Sequence, residues 1–221
     1  MPYGEALELQ RAAARARIAG RLSEDLLILL EHPPVVTLGR TAKVGNVVAS
    51  KEILASRGVE LFEVERGGDV TFHGPGQLVG YPIIDLKRHR QDLHWYLRQV
   101  EEALIVALGA LGVPAERNPG KTGVWTRGRK IASIGVHARD WVTWHGFALN
   151  VNTDLSWFDL IVPCGIQDVT MTSIARELGV ASADEAQVRA ETARALGGVF
   201  GLVPRAVARA ELPLEAHVPQ L

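Results

Sequence analysis

The sequence predicts an α+β fold built on a mixed or antiparallel sheet. Extended apolar segments follow one another through most of the chain, whereas helical patterns occur at its start, its middle and its end. This order differs from the regular alternation of strands and helices that is typical of parallel sheets. The chain has 221 residues, of which 47% are hydrophobic, so it can bury a sizeable core. It has no internal repeat, low-complexity tract or obvious linker.

The first half of the chain predicts helices and extended segments in turn. Residues 3–22 carry apolar side chains at helical spacing among arginines and glutamates, which favours an amphipathic helix. Leu26–Leu30 is an uninterrupted apolar run typical of a buried strand, and Pro33 and Pro34 end it. Farther on, we predict a strand over 35–39, a short helix over 51–57 that ends at Gly58, and strands over 59–65 and 78–85.

The second half predicts a helix, a group of strands and two more helices. Residues 92–111 form the clearest helical pattern, since Asp92 can cap it and Gly112 follows it. Arg127 and Gly128 are typical of a hairpin turn. The remaining predictions are strands over 122–126, 130–139 and 144–151, and helices over 172–178 and 184–200.

Composition excludes several classes of protein. The chain has 24 basic and 25 acidic residues, a balance that argues against a broad nucleic-acid or membrane-binding surface. Its single cysteine cannot form an intramolecular disulfide, which fits a reducing cytosol. The first residues do not resemble a signal peptide, and no apolar run approaches the roughly 20 residues of a membrane span. We therefore expect a cytoplasmic protein.

Residues 66–82 are the most informative stretch of the sequence. They contain five glycines and two prolines around Arg66, Asp69 and His73. Glycine at this density lets the backbone approach a ligand closely, and long glycine-rich loops are usually functional. We interpret the stretch as a ligand-binding loop.

Cys164 is the candidate nucleophile. Pro163 and Gly165 place it in a turn, where a thiol is more accessible than in a core, although a lone cysteine is often only a small buried hydrophobe. A thiol is mostly protonated at neutral pH, and a neighbouring ammonium or imidazolium would lower its pKa. Lys130 is the leading cation, and His73 and His145 are competing partners.

Other chemistries find little support. The histidines lack close zinc-ligand spacing, so a metal site is not expected. The glycines do not form a phosphate-binding loop or a dinucleotide fingerprint in register. The sequence also lacks the GxSxG motif of many serine hydrolases.

Four segments together resemble the lipoyl(octanoyl) transferase family. Residues 66–82, read as RGGDVTFHGPGQLVGYP, are similar to its signature, with Phe72 where the family often has tyrosine. Residues 129–135, RKIASIG, resemble its lysine segment, and 145–151, HGFALNV, its next strand. Residues 163–166, PCGI, resemble its cysteine turn. The segments occur in the family's order.

The resemblance implies a biotin/lipoate protein ligase fold, with a mixed, largely antiparallel central sheet flanked by helices, as one catalytic domain over residues 1–221. It implies transfer of an octanoyl group from octanoyl-acyl carrier protein to a lysine of a lipoyl domain. Cys164 would carry the acyl group as a thioester, and Lys130 would lower the pKa of the thiol and relay protons. Since a thioester is already activated, neither ATP nor a metal is expected.

The resemblance also assigns the remaining site residues and the partners. The acyl-binding residues would be Arg66, Gly67, Gly68, Asp69, Val70, Thr71, Phe72, His73, Ser133, Ile134, Gly135, Gly146, Phe147 and Ala148. Small residues among them would leave space for the acyl chain. Acceptors would be lipoyl domains of 2-oxoacid dehydrogenase and glycine cleavage proteins, and the enzyme would be a monomer that binds neither nucleic acid nor membranes. The acidic carrier could dock on an arginine cluster that includes Arg40, Arg127, Arg129 or Arg139.

Two alternatives remain open at this level. An ATP-dependent lipoate or biotin ligase shares the implied fold but proceeds through an acyl-adenylate and needs no catalytic cysteine. An acyl-binding module without enzymatic activity could use the same groove. The first would require ATP, and the second would be insensitive to loss of Cys164 or Lys130.

Overall fold

The computed structural model describes residues 1–165 and 169–214. The helices are α1 Tyr3–Ile18, α2 Lys51–Ser56, α3 Leu93–Ala110, α4 Ile174–Leu178 and α5 Glu185–Phe200. The strands are β1 Leu26–Leu30, β2 Val35–Leu38, β3 Glu60–Glu63, β4 Val70–His73, β5 Gln77–Ile83, β6 Glu116–Asn118, β7 Lys121–Thr126, β8 Arg129–Arg139 and β9 Val142–Asn150. No helix in these residues has the length and apolar character needed to cross a bilayer.

The strands form two sheets. The larger sheet has the order β1-β5-β9-β8-β7-β6, and each pair of neighbours is antiparallel. The smaller sheet has the order β3-β2-β4, in which β2 runs parallel to β3 and antiparallel to β4. The predicted fold class, a mixed and largely antiparallel sheet arrangement flanked by helices, is confirmed.

Helices α3 and α5 cover one face of the larger sheet. Side chains alternate between faces along a strand, so Leu78 and Leu149 pack with these helices, whereas Val79 and Ala148 point to the opposite face. Asp92 caps α3, as predicted, by accepting hydrogen bonds from the backbone N–H groups of the second and third residues that follow it. The opposite face of the sheet is left for α1 and for the site described below.

A second core lies beneath the smaller sheet. Phe72 stacks on Trp157, with ring centroids 5.3 Å apart, and meets Phe158 edge-on. The same cluster includes Val36 and Met171. This core fixes the segment after β9, which carries Cys164, against the smaller sheet.

Most of the predicted elements are present, with shifted ends. Helix α1 ends at Ile18 rather than at residue 22, because the chain turns at Ala19 and Gly20. Leu26–Leu30 is a strand, but only Leu30 is buried, since β1 lies at the edge of the larger sheet. The hairpin turn at Arg127 and Gly128 is confirmed, and both residues have positive φ.

The glycine-rich stretch is not one long loop, which corrects our interpretation. It contains β4 and most of β5, joined by a tight turn at residues 74–76. At Gly76, φ is +74° and a Cβ atom would lie 2.7 Å from the carbonyl carbon of Asn152, so only glycine fits without displacing that backbone. The glycines therefore serve the turn and close backbone packing.

Candidate active site

Lys130 and Cys164 form a direct contact. The Nζ atom of Lys130 lies 3.1 Å from the Sγ atom of Cys164 and donates a hydrogen bond to it. Lys130 is only 1% exposed, whereas Cys164 is half-buried. An ammonium and a sulfur atom at this distance can share a proton and stabilise each other's charge.

The chain around Lys130 is shaped to hold its side chain. Nζ lies 5.1 Å from the centroid of the Trp125 ring, a cation–π distance. At Gly123, where φ is +134°, a Cβ atom would lie 2.9 Å from the Cε atom of Lys130. Within residues 1–165 and 169–214, Lys130 has no carboxylate partner. The sulfur of Cys164 is thus the described group best placed to balance the charge of a buried ammonium.

Cys164 occupies a strained turn. Its backbone is left-handed, with φ 56° and ψ 20°, a conformation that costs a residue other than glycine roughly 1 kcal/mol. The N–H of Gly165 donates to the carbonyl of Val162 across the turn at 3.0 Å. The hydroxyl of Ser133 lies 3.9 Å from the Cys164 sulfur. Ile166, the last residue of the predicted cysteine segment, lies outside the described residues.

A pocket opens beside Cys164 and has about 450 Å³ of empty space, part of it open to solvent. One wall is the face of the larger sheet opposite α3 and α5, where Val79, Ser133 and Ala148 lie. Another wall includes Arg66, Gly68, Asp69, Thr71 and His73. The pocket combines apolar side chains with buried polar groups.

Arg66 is a buried cation at this wall. Its Nη2 donates to the carbonyl of Thr37 at 2.7 Å and to that of Asp69 at 2.8 Å. Burial lowers the pKa of Arg66 from its ordinary value. Gly39 leaves room for the guanidinium, because a Cβ there would lie 2.7 Å from Nη1 of Arg66. The pocket therefore has a positive charge on the side facing the larger sheet.

His73 lines the pocket as a neutral base. Burial lowers its pKa to about 3. Its Nδ1 lies 2.8 Å from Oε1 of Gln77, whose amide nitrogen donates to Phe72 and Asn150, so Nδ1 is the donor. The ring of Tyr3 stacks on His73 with centroids 6.0 Å apart.

His145 lines the same pocket. Burial lowers its pKa, and its Nε2 lies 3.7 Å from Oε2 of Glu65. The proximity of His145 and the hydrogen bonds from Arg11 and Trp144 hold the pKa of Glu65 well below its usual range. Neither of the two histidines that competed with Lys130 forms a described hydrogen bond to the cysteine: His73 bonds to Gln77, and Nε2 of His145 has no hydrogen-bond partner among the described residues.

The structure brings most of the predicted site residues together. Those that line the pocket are Arg66, Gly68, Asp69, Thr71, His73, Ser133, Ile134, Gly135, Gly146, Phe147, Ala148 and Cys164. Gly67, Val70 and Phe72 are not among the lining residues. Val70 and Phe72 face the second core because side chains alternate along β4. Lys130 also lies outside the lining and reaches the site through its contact with Cys164.

Three of the lining residues were not candidates from the sequence, namely Tyr3, Val79 and Tyr81. His145 was a candidate only as a partner of the cysteine and not as a substrate-binding residue. Tyr81 lies inside the glycine-rich stretch, which was already a candidate for ligand binding. Its position in the sequence could therefore have identified it. Tyr3 comes from α1, and no local pattern connects that helix with the pocket.

Two of the small residues serve backbone packing. A Cβ at Gly135 would lie 2.8 Å from the carbonyl oxygen of Gly67, and one at Gly146 would lie 2.1 Å from that of Gly80. These glycines let neighbouring chain segments approach each other. The sequence had instead suggested that small residues at these positions leave space for a ligand. Ala148 does face the pocket.

The four arginines proposed for carrier docking differ in their surroundings. Arg40 and Arg139 are exposed. Arg129 donates to Glu177 at 2.9 Å, and Arg127 lies 3.8 Å from the same carboxylate. Glu177 therefore offsets part of the positive charge of Arg127 and Arg129.

Comparisons with known proteins identify the family of the chain. The family model of the lipoyl protein ligase A/B catalytic domain matches residues 2–196. An octanoyltransferase from Rubrobacter xylanophilus is 57% identical over 180 residues, which is 80% of each chain. An octanoyltransferase from Nostoc sp. is 48% identical over 202 residues, or 91% of this chain and 89% of its own.

Solved structures show the same fold at low sequence identity. Lipoate-protein ligase A bound with ATP superposes with a TM-score of 0.75 at 17% identity, covering 93% of this chain and 85% of its own. The bi-partite lipoate protein ligase from Thermoplasma acidophilum gives 0.71 at 17% identity, covering 93% and 84%. Because one fold hosts several activities, these structures support the architecture alone. The family model and the curated relatives together show that the chain belongs to the lipoyl protein ligase A/B catalytic domain family, among its octanoyltransferases, which are acyltransferases.

Proposed function

We propose that the protein transfers an octanoyl group from octanoyl-acyl carrier protein to a specific lysine of a lipoyl domain, through a thioester on Cys164. The observation that carries the proposal is the 3.1 Å contact between Lys130 Nζ and Cys164 Sγ beside a pocket. The names of the curated relatives support the acyl group. The proposed acceptors are the lipoyl domains of 2-oxoacid dehydrogenase and glycine cleavage proteins, and the proposed compartment is the cytoplasm.

In the first step, the Cys164 thiolate attacks the carbonyl carbon of the octanoyl thioester. The new C–S bond to Cys164 forms, the C–S bond to the carrier breaks, and the carrier leaves as a thiolate. The Lys130 ammonium gives its proton to that thiolate, so the lysine ends the step neutral. One thioester replaces another, so the step is close to isoenergetic and requires no activation by ATP.

In the second step, the acceptor lysine amine attacks the thioester carbonyl on Cys164. The C–N bond forms, the bond to Cys164 breaks, and Lys130 accepts the proton lost by the amine. The cysteine thiolate and the ammonium are thereby restored. Amide formation draws the reaction forward, because an amide is more stable than a thioester.

The pocket is the proposed site of the acyl chain. Val79, Ile134, Phe147 and Ala148 supply apolar surface there. Each buried CH₂ group of the substrate contributes about 0.8 kcal/mol, so a channel of this kind can bind a chain and measure its length. We propose that neither ATP nor a metal takes part.

Intact mass spectrometry after incubation with octanoyl-acyl carrier protein tests the proposal. We expect one octanoyl adduct on the wild-type protein and none on Cys164→Ser. Lys130→Ala should retain its fold and lose nearly all transfer, because the thiolate loses its counter-charge. An adduct that survives loss of Cys164 would contradict the thioester mechanism, and full transfer by Lys130→Ala would contradict the role of the lysine. Binding of the donor without any transfer by the wild type would favour an acyl-binding module.

An ATP-dependent ligase is the second candidate, because the solved neighbours include lipoate-protein ligase A bound with ATP. One assay distinguishes the transferase from the ligase. Octanoyl-acyl carrier protein without ATP should support transfer to a lipoyl domain, whereas octanoic acid with ATP should not. The reverse outcome would establish the ligase.

A further inference from the structure

The turn that carries Cys164 is held from one side by residues 44–49. The N–H of Val162 donates to the carbonyl of Asn46 at 2.7 Å. Val47 forms an antiparallel bridge with Ile161, and the N–H groups of the next two residues both donate to Leu160. This backbone pairing ends directly before Pro163, so it fixes the entry to the cysteine turn.

The side chain of Asn46 joins this segment to the pocket wall. Its Nδ2 donates to Oδ2 of Asp69 at 2.6 Å. The other carboxylate oxygen, Oδ1, accepts from the backbone N–H of Val70 at 2.8 Å and of Lys43 at 3.2 Å. Three N–H donors therefore surround the Asp69 carboxylate, which lines the same pocket as Cys164.

Gly165 lies directly against this pair. A Cβ atom there would lie 2.4 Å from Oδ2 of Asp69 and 3.0 Å from Nδ2 of Asn46. Gly165 and Cys164 both have left-handed backbone, with φ 64° and 56°. Strained backbone of this kind persists only where its surroundings over-determine it. The Asn46–Asp69 pair provides such surroundings on the pocket side of the turn.

Electrostatics gives the pair a second role. A carboxylate close to a cysteine opposes formation of a thiolate, because two like charges repel. Hydrogen bonds from N–H groups stabilise the carboxylate and reduce its effect on neighbouring groups. Among the described residues, Asn46 supplies the donor to Oδ2, the oxygen that lies against Gly165.

We propose that Asn46 is a positioning residue for Cys164, acting through Asp69 and the backbone of Val162. It holds the turn so that the sulfur meets Lys130, and it limits the repulsion between the Asp69 carboxylate and the thiolate. The inference rests on the proposed function, in that Cys164 is taken as the nucleophile. It also gives Asp69 a role different from contact with the acyl chain.

The test compares Asn46→Ala, Asp69→Ala and the double variant with the wild type. Two rates are measured: acylation of Cys164 by octanoyl-acyl carrier protein in a single turnover, and alkylation of Cys164 by iodoacetamide across pH. We expect Asn46→Ala to slow acylation about 100-fold, as displacement of a reacting atom by roughly 1 Å does. Donor binding should be unchanged, and the pH at which alkylation is half-maximal should rise.

The double variant tests whether the two residues act as a unit. If they do, it should be no slower than the slower single variant, because the second substitution removes a contact already lost. Ser50→Ala is the matched control, since Ser50 lies in the neighbouring segment and its hydroxyl caps α2 by accepting from the N–H of Ile53. It should acylate and alkylate like the wild type.

Other outcomes would overturn the inference. Wild-type rates in Asn46→Ala, or losses that multiply in the double variant, contradict it. If Asn46→Ala does not fold, Asn46→Asp keeps the volume and removes the donor, and wild-type alkylation there would count equally against it. Absence of an adduct on the wild type would overturn the proposed function alone, since alkylation needs no acyl donor.

Discussion

Lys130 lies in surroundings that stabilise a charged side chain inside the protein. A buried ammonium loses its hydration and needs compensation from nearby groups. Cys164 Sγ at 3.1 Å and the Trp125 ring at 5.1 Å are the compensating groups on either side. The ring is uncharged, so it attracts the ammonium without neutralising the positive charge that faces the sulfur. Trp125 is therefore expected to hold the lysine side chain in place beside the sulfur.

Replacement of Trp125 tests this role. A desolvated cation–π contact contributes about 2 kcal/mol, so Trp125→Leu should slow alkylation of Cys164 at neutral pH by about 10-fold or more. Trp125→Phe retains a weaker ring and should fall between leucine and the wild type. Iodoacetamide kinetics on folded protein, verified by circular dichroism, gives the measurement.

Trp95→Leu is the control for that series. Trp95 is on α3 and packs on His89 and Phe200, far along the chain from the cysteine turn. It should lose stability without a change in the alkylation rate. If Trp125→Leu and Trp125→Phe were alkylated at the same rate, the π electrons of the ring would not contribute. The effect of Trp125 would then come from its volume, which contradicts the cation–π role.

Sequence alone identified the cysteine but not its partner. Cys164 stood out through its turn residues, while Lys130, His73 and His145 remained as candidate cations until the family resemblance favoured the lysine. The structure shows why local sequence could not decide. His73 and His145 line the same pocket, but of the three only Lys130 is hydrogen-bonded to the Cys164 sulfur in the described structure. His73 is bonded to Gln77, and His145 lies 3.7 Å from Glu65.

Among the elements, β9 has the most unusual course. Its pairing with β5 runs from Asn150 to Phe147 and resumes with the bridge between Val142 and Asp85. Between them, His145 has φ 56°, and its N–H donates to Oε1 of Gln10 on α1 at 2.9 Å. A helix thus replaces a strand as the hydrogen-bond partner, and the interruption gives the pocket part of its wall.

Gly146→Ala tests how closely β5 and β9 must approach. A Cβ there would lie 2.1 Å from the carbonyl oxygen of Gly80, so the strands would have to separate. We expect a loss of about 1–3 kcal/mol in the free energy of unfolding, as for overpacked cores. Chemical denaturation measures it.

Gly109→Ala is the matched substitution. Gly109 lies in helix α3, and a Cβ there would have nothing within 4 Å. Alanine should stabilise the protein by about 0.5–1 kcal/mol because glycine is a poor helix former. If both variants changed stability in the same direction, the contact with Gly80 would not be the cause of the effect at Gly146.

Periodicity predicted the long helices and strands well, because each carries its own pattern. It did not predict β4, which lies inside the glycine-rich stretch, or the three-residue β6. The many glycines of residues 66–82 led to the prediction of a loop. In the structure, glycines there permit close contacts that exist only once β5, β9 and the segment at 152–153 are assembled.

For the molecule as a whole, buried histidines set the response of stability to pH. Burial lowers the pKa of His32 to about 4 and that of His73 to about 3, and it also lowers the pKa of His137 and His145. The unfolded chain binds protons at these groups as pH falls through about 6.5, and the folded chain does not. Stability is therefore complete above that pH and declines as pH falls.

For His32 and His73, the decline should reach about 1.4 kcal/mol per pH unit each. Between about pH 6 and pH 5, urea unfolding should show an uptake of about two or more protons. Below about pH 4.5, Glu65 adds to the loss, because its pKa is also held low in the folded protein. His32→Gln should reduce the slope by about one proton, and a slope equal to that of the wild type would contradict the assignment.

The fold class followed from the order of elements, and the family from four short segments. What no pattern predicted is that the larger sheet, the smaller sheet and α1 all contribute to one pocket, as Ala148, Thr71 and Tyr3 do. Such convergence depends on how layers pack, which is a property of the assembled chain. A single catalytic domain over residues 1–221 stays a prediction.

Lys130 belongs to the larger sheet, whereas the turn of Cys164 contacts β4 of the smaller one. The two residues are 34 positions apart, so their meeting depends on the joining of both sheets. A chain emerging from the ribosome therefore carries an ordinary thiol, slow towards oxidants and stray thioesters. The proposed reactivity of Cys164 therefore requires the assembled fold, and a chain whose two sheets have not joined lacks the contact with Lys130.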